Sequence, residues 1–189
     1  EMGLDLPVWQ QYFRWVSRAA RGDFGESLVS GNKVIKDIGE KASATLVLVV
    51  VALLMIIIAA VPIGVVCAVY KDSLFDHLTR VVTIMGISVP NFWLGFMLLM
   101  LFAVRWRLVP VVGYGGMENV ILPAATLAAA TTASSIRLLR ANMLENMNKD
   151  FVVYAKARGI PKRKITWKHI FKNATPPLVT LFGQTAGYL

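Results

Sequence analysis

The chain has 189 residues, of which 56% are hydrophobic and 16% are charged, against about 25% charged in an ordinary soluble domain. Three long stretches, 42–70, 81–104 and 119–136, contain no Asp, Glu, Lys, Arg or His. A helix needs about 20 such residues to cross the ~30 Å hydrocarbon core of a bilayer, so this composition excludes a soluble single-domain protein.

The net charge of +9 comes mainly from one segment, residues 137–172, in which ten Lys and Arg side chains are opposed only by Glu145 and Asp150. Such an excess between apolar stretches is typical of a cytoplasmic loop, so it does not indicate a nucleic-acid partner. Alternation along the chain then places the loop 71–80 on the cytoplasmic side. Residues 1–43 and 105–118 are placed on the opposite side.

Residues 1–43 form a charge-balanced extracytoplasmic segment with a predicted amphipathic helix. Pro7 suits the first turn of this helix. One apolar stripe is made by Val8, Tyr12, Trp15, Val16 and Ala19. Gly22 and Gly25 end the helix, and a second short helical stretch from Val34 leads towards the membrane. No signal peptide is visible, and we expect the chain to be a fragment of a longer membrane protein.

Four membrane spans are predicted in residues 44–189, at 44–70, 81–104, 119–139 and 174–189, the last of them truncated. Pro62 predicts a kink in the first span and Pro90 a kink in the second. In the second span we expect Ser88 and Asn91 to satisfy the carbonyl groups that the kink frees. The third span is rich in Ala, Ser and Thr, which favours close helix packing.

The sequence lacks the residues that an enzyme or a self-sufficient pump requires. There is no GxxxxGK[ST] phosphate loop, and the stretches 42–70, 81–104 and 119–136 that make up the complete spans carry no Asp, Glu, Lys, Arg or His of the kind that ion-coupled carriers use. His77, His169 and Cys67 are too scattered for a metal site. We therefore expect no enzymatic activity, no ATPase site, no cofactor and no bound metal.

The most informative segment is a predicted helical elbow within the basic loop. Asp150 suits the start of its first helix, Gly159 suits the left-handed residue that ends it, and Pro161 begins the second helix. One face of the first helix carries an i, i+3, i+4, i+7 ridge: Phe151, Tyr154, Ala155 and Arg158. Such a ridge could seat in a groove of another protein, or the helix could lie on anionic lipid, and both interpretations stay open.

The elbow resembles the EAA loop of binding-protein-dependent ABC importer permeases, with YAKARG at 154–159 followed by KHIFKNATP at 168–176. Further motifs of the first permease of the peptide and nickel branch occur in order: GLDLP at 3–7, GDFG at 22–25, SVPNFWL at 88–94, ILPA at 121–124 and RLLRANML at 137–144. The chain departs from the general pattern at Val153 and Tyr154, where that pattern has Glu and Ala, and at Ser43, where Pro is frequent.

This resemblance implies an all-α integral membrane protein with the six-span type I ABC importer fold, of which the chain holds about spans two to five. It would be a multi-pass protein of the cytoplasmic (inner) membrane that transports dipeptides, oligopeptides or nickel, driven by ATP hydrolysis in other subunits. Its implied partners are a second homologous permease, two cytoplasmic ATPase subunits and an extracytoplasmic solute-binding protein, with membrane lipid around it.

The resemblance also assigns residues. The ATPase-coupling loop is 141–173, with these contact residues: Asp150, Phe151, Tyr154, Ala155, Ala157, Arg158, Gly159, His169 and Asn173. Candidate residues of the translocation pathway are Ser88, Pro90, Asn91, Thr131 and Ser134, although a helix kink and close packing explain the same residues. The alternative function is a membrane-anchored interaction protein whose basic loop binds anionic lipid.

Overall fold

A computed structural model describes residues 6–113 and 116–188, which form two compact units, Glu1–Leu46 and Val47–Leu189. The described residues are mainly helical and contain no β-strand beyond an isolated bridge between Glu26 and Lys33. This agrees with the predicted all-α class. The start of the motif at 3–7 lies outside the described residues, as do positions 114–115 of the predicted 105–118 connection and Leu189.

The first unit begins with helix α1, Val8–Ala19, which is the predicted amphipathic helix. Pro7 precedes it, and its carbonyl accepts the first helical hydrogen bonds. Four residues of the stripe, Val8, Tyr12, Trp15 and Val16, are exposed, and Ala19 is half-buried. Gly22 follows with φ +81°, a conformation that ends the helix as predicted.

Helix α2 covers Val34–Val69 and is therefore longer than the first predicted span, which began at residue 44. The short helical stretch that we predicted as separate is the first part of α2. Ser43 and Thr45 donate their hydroxyl groups to carbonyls of the preceding turn, so neither side chain interrupts the helix. The helix is also continuous through Pro62, where a kink was predicted.

The second predicted span consists of two helices that meet at 103°. Helix α3 is Leu74–Ser88 and helix α4 is Asn91–Leu98, which continues as a π-helix over Leu99–Arg105. Pro90 has no N–H group and holds Val89 in an extended conformation, so the helix breaks there rather than bending. The Ser88 hydroxyl donates to the carbonyl of Ile84, whereas the carbonyl that Pro90 leaves without its helical donor is that of Gly86, so the predicted role of Ser88 and Asn91 stays a prediction.

Helix α3 also corrects the predicted polar loop 71–80, because it begins at Leu74 within that loop. The Ser73 hydroxyl accepts a hydrogen bond from the backbone N–H of Asp76 at 3.2 Å, which caps the first turn. Residues 76–80 are therefore helical, and Asp76 is buried rather than exposed in a loop.

Helix α5 covers Met117–Met147 and packs against α3 and α4 through small residues. A Cβ atom added to Gly86 of α3 would lie 3.4 Å from Ala133, and one added to Gly95 of α4 would lie 3.2 Å from Thr126. An added Cβ atom would thus already be in contact or slightly crowded, so these small residues allow the helices of this unit to approach closely.

The remaining elements follow as α6 (Asp150–Ala157), α7 (Lys162–Lys164), a π-helix (Ile165–Phe171), α8 (Lys172–Ala174) and α9 (Pro176–Tyr188). Helices α2 and α5 are long and apolar enough to cross a membrane, and the bent pair α3–α4 makes a third crossing if it acts as one span. Over the fourth predicted span the structure describes the last residue of α8 and then α9, with 13 residues. The positions of these helices in the bilayer stay predictions.

Candidate functional site

The elbow begins where α5 ends, and a close ion pair marks this junction. The Lys149 Nζ atom lies 2.8 Å from the Glu145 Oε1 atom, and this hydrogen bond raises the pKa of the Lys149 amine above its usual value. Helix α6 starts at the next residue, Asp150, whose carboxylate suits the positive end of the helix dipole.

The turn of the elbow is a Schellman motif centred on Gly159. The backbone N–H of Gly159 donates to the carbonyl of Lys156 at 2.9 Å, and that of Ile160 donates to the carbonyl of Ala155 at 3.2 Å. Gly159 has φ +73°, the left-handed conformation that the sequence predicts for it. Pro161 follows, and its carbonyl accepts hydrogen bonds from the first turn of α7.

The second arm of the elbow is an unbroken helical stretch over residues 162–174, made of α7, the π-helix and α8. The Asn173 side chain donates to the carbonyl of His169 at 2.8 Å, so both predicted contact residues lie in this arm. The rings of Trp167 and Phe171 are 5.3 Å apart. The seven-residue π-helix widens the turn between them, a feature that is frequent at functional sites.

The inner side of the elbow belongs to the same hydrophobic core as three other helices. In this core the elbow places Val152, Ala155, Ile165, Ile170 and Ala174. The other helices contribute Val65 and Ala68 from α2, Leu139 and Met143 from α5, and Leu178 from α9. Because closely packed interiors transmit displacements, a force on the elbow reaches the ends of α2, α5 and α9 together.

The outer side of the elbow carries exposed apolar and basic side chains. Val153 and Tyr154 are 62% and 64% exposed, and Trp167 of the second arm is exposed as well. The Arg158 guanidinium carbon lies 5.6 Å from the centre of the Tyr154 ring, within cation–π distance. The basic run 162–164 of α7 is also exposed.

The structure corrects the predicted ridge on this helix. Ala155 is only 4% exposed and Phe151 is half-buried against the core, so neither belongs to the outer face. The core takes up Val152 and Ala155, which fixes the rotation of α6 and turns Val153 outward. The other predicted contact residues divide by exposure: Asp150, Tyr154, Ala157, Arg158, Gly159 and Asn173 are exposed, and His169 is half-buried.

The five candidate pathway residues are not brought together. Asn91 lines a cavity of about 530 Å³ between α4, α5 and the segment 110–113. Ser88 and Pro90 line a second cavity of about 410 Å³. Ser134 lines a third, and Thr131 is half-buried on α5. Their role in a pathway stays a prediction.

Sequence reasoning missed a buried ion pair that joins α3 to α5. The Arg140 Nε and Nη2 atoms lie 2.6 Å and 2.7 Å from the two carboxylate oxygens of Asp76, which is fully buried. The backbone N–H of Asp72 also donates to Asp76, at 3.0 Å. Arg140 precedes the core residue Met143 by one helical turn, so the ion pair fixes α3 beside the core that holds the elbow.

Within residues 6–113 and 116–188, no group of three or more His, Cys, Asp or Glu side chains is arranged to hold a metal ion.

Known proteins are similar to this chain over both the spanning helices and the elbow. Residues 60–189 match the family described as "Binding-protein-dependent transport system inner membrane component". All 189 residues align, at 33% identity, with the protein named "Glutathione transport system permease protein GsiC" of Escherichia coli (strain K12). Proteins of the same name from Shigella flexneri serotype 5b (strain 8401) and Shigella boydii serotype 4 (strain Sb227) align equally well.

These alignments include 100% of this chain and 62% of each relative, so the chain spans about three fifths of the length of the relatives. The family match covers α5, the whole elbow and α9, and it confirms both the predicted resemblance and the predicted type I ABC importer permease fold. The chain belongs to the family of binding-protein-dependent transport system components of the inner membrane.

Proposed function

We propose that this chain is the membrane-spanning permease subunit of an ABC importer and that its elbow is the surface on which a cytoplasmic ATPase subunit docks. The observation that carries this proposal is the division of the elbow into two sides. The inner side shares one buried core with α2, α5 and α9, and the outer side presents exposed Val153, Tyr154 and Trp167. An apolar surface of this kind fits a groove in a partner protein.

The proposed mechanism is alternating access driven from the elbow. ATP binding closes the pair of ATPase subunits, and their movement displaces α6 and the second arm. Because Val152, Ile165 and Ile170 are packed into the core, the displacement is passed to the ends of the spanning helices. Those helices then tilt, together with those of a second homologous permease, and the pathway opens to the other side of the membrane.

The proposed substrate is a short peptide delivered by an extracytoplasmic solute-binding protein, and nickel is the alternative within the same branch. The names of the relatives support a peptide, since glutathione is a tripeptide. A binding titration of the cognate solute-binding protein with glutathione, a dipeptide and Ni²⁺ decides between them. Tight binding of Ni²⁺ alone would contradict the peptide assignment.

The docking proposal is tested by Tyr154→Asp, with Tyr154→Phe as the matched control. Burying a carboxylate in an apolar groove costs about 2 kcal/mol or more, because the group loses its hydration without gaining a hydrogen-bond partner. Tyr154→Asp is expected to lose the ATPase subunit on co-purification and to lose substrate-stimulated ATP hydrolysis. Tyr154→Phe keeps the ring and is expected to retain both.

The alternative, a loop that binds anionic lipid, predicts the opposite pattern. In that case replacing Lys162, Arg163 and Lys164 together by Gln would release the loop from anionic vesicles at about 1 kcal/mol for each cation. Tyr154→Asp would then have no effect on ATPase co-purification. Wild-type behaviour of Tyr154→Asp in both ATPase assays would refute the docking proposal.

A further inference from the structure

A cavity of about 530 Å³ lies between α3 and α5, apart from the elbow surface. Three arginines line it, Arg80, Arg137 and Arg140, together with Ser134. The rest of its lining is apolar, from Ile87, Leu138 and Ala141. We refer to it as the arginine cavity.

The charges around the arginine cavity do not cancel. Arg140 is paired with Asp76 through two short hydrogen bonds. Arg80 lies farther from its partners, 3.9 Å from Asp76 and 4.0 Å from Asp72. Arg137 is exposed and makes no ion pair or hydrogen bond with the residues that the structure describes. Lys71 also lies 3.8 Å from Asp72, so four cations share two carboxylates and the net charge of the group is positive.

Arg80 also has a buried hydrogen-bond donor that is unused. The Nε atom of Arg80 is buried and has no hydrogen-bond partner in the described part of the chain. Buried donors without a partner are rare in folded proteins, and each one calls for an explanation. An anion bound beside Arg80 and Arg137 would balance the extra charge, and it would reach this buried Nε atom only if the Arg80 side chain turned towards the cavity.

The cavity is charged at one end and apolar at the other, as a membrane lipid is. Arg80 directly precedes the uncharged stretch 81–104, and Arg137 directly follows the uncharged stretch 119–136, so both lie at the same end of the predicted spans. Ile87 is seven residues farther along α3, which is about 10 Å deeper at 1.5 Å per residue. Ile84 lies between Arg80 and Ile87 on the same face of α3 and is exposed, so it continues this apolar surface.

We propose that the arginine cavity binds the phosphate of an anionic membrane lipid, with the acyl chains lying along Ile87 and the exposed face of α3. Guanidinium groups bind phosphate oxygens in a bidentate manner, and basic pockets between spanning helices on the cytoplasmic side are typical sites for anionic headgroups. The bound lipid bridges α3 and α5 next to the Asp76–Arg140 ion pair.

The test is native mass spectrometry of the purified complex released from nanodiscs that contain equal amounts of phosphatidylglycerol and phosphatidylcholine. The wild type is expected to retain phosphatidylglycerol preferentially. Arg137→Gln is expected to reduce that retention about fivefold, which corresponds to ~1 kcal/mol for one basic side chain near the membrane surface. Arg163→Gln, which removes an exposed arginine of the elbow, is the matched control and is expected to leave retention unchanged.

Three outcomes of the retention measurement would overturn the proposal. They are equal retention of the two lipids by the wild type, unchanged retention in Arg137→Gln, and an equal loss in Arg163→Gln. Displacement of the lipid by millimolar inorganic phosphate would also contradict it, because the site would then bind a soluble anion. Co-purification of the ATPase is measured in parallel, and Arg137→Gln is expected to retain it, so this result is independent of the docking proposal.

Discussion

Replacing Gly159 by Val probes the turn of the elbow without introducing a clash. A Cβ atom at Gly159 would meet no other atom within 4 Å, so the cost arises from the backbone alone. Gly159 has φ +73°, and the left-handed conformation costs an L-residue roughly 1–2 kcal/mol, with a β-branched side chain at the upper end or beyond.

The turn can avoid this strain only by leaving the left-handed conformation. It would then lose the two hydrogen bonds from the backbone N–H groups of Gly159 and Ile160, each of which stabilises by about 1 kcal/mol. Ile160 would also leave its packing against the core. Either route costs about 2 kcal/mol. This cost shifts the equilibrium between the native and the misdirected orientation of the second arm by roughly 30-fold.

The assay compares Gly159→Val with Gly159→Asn in the purified complex. Asn tolerates the left-handed conformation far better than Val, so Gly159→Asn is the matched control. We expect Gly159→Val to lose most substrate-stimulated ATP hydrolysis while the chain still inserts into the membrane, and Gly159→Asn to retain most of it. Equal activity of the two variants would refute the reasoning that the left-handed turn aims the second arm.

Two further predictions concern the packing of the helices, and thermal unfolding of the purified complex in detergent checks both. Asp76→Asn removes one charge of a buried ion pair and leaves Arg140 uncompensated, so we expect destabilisation by about 3–5 kcal/mol. An unchanged unfolding midpoint would contradict the claim that this ion pair stabilises the packing of α3 on α5. Gly64→Ala would place a Cβ atom 3.1 Å from the buried Leu139 side chain and is expected to cost about 1–3 kcal/mol. Gly183→Ala, with no atom within 4 Å, is its control and should leave the midpoint unchanged.

The turn of the elbow was predictable because its determinants are local. Gly159 followed by Pro161 encodes a helix end and a new helix start within three residues. Helix lengths were predicted less well, because the uncharged stretches mark only the part of a helix that suits the membrane. Local hydrogen bonds extend α2 back to Val34, and the Ser73 cap starts α3 at Leu74.

Features that depend on tertiary packing were not predictable. Asp76 and Arg140 are 64 residues apart, and no local pattern indicates that they pair. The outward face of α6 is set by the core that receives Val152 and Ala155, so helical spacing alone assigned Ala155 to the wrong side. The positions of the candidate pathway residues relative to one another depend on the same packing.

The central claim, that the outer face of the elbow contacts an ATPase subunit, is tested most directly by site-specific crosslinking. A cysteine is introduced by Tyr154→Cys in a Cys67→Ala background, which removes the buried free cysteine, and is labelled with benzophenone maleimide. Ser30→Cys, at an exposed position of the N-terminal unit, is the control. We expect irradiation of the assembled complex to produce an adduct with the ATPase subunit from Tyr154→Cys and none from Ser30→Cys. An intact complex without an adduct from Tyr154→Cys would contradict the claim.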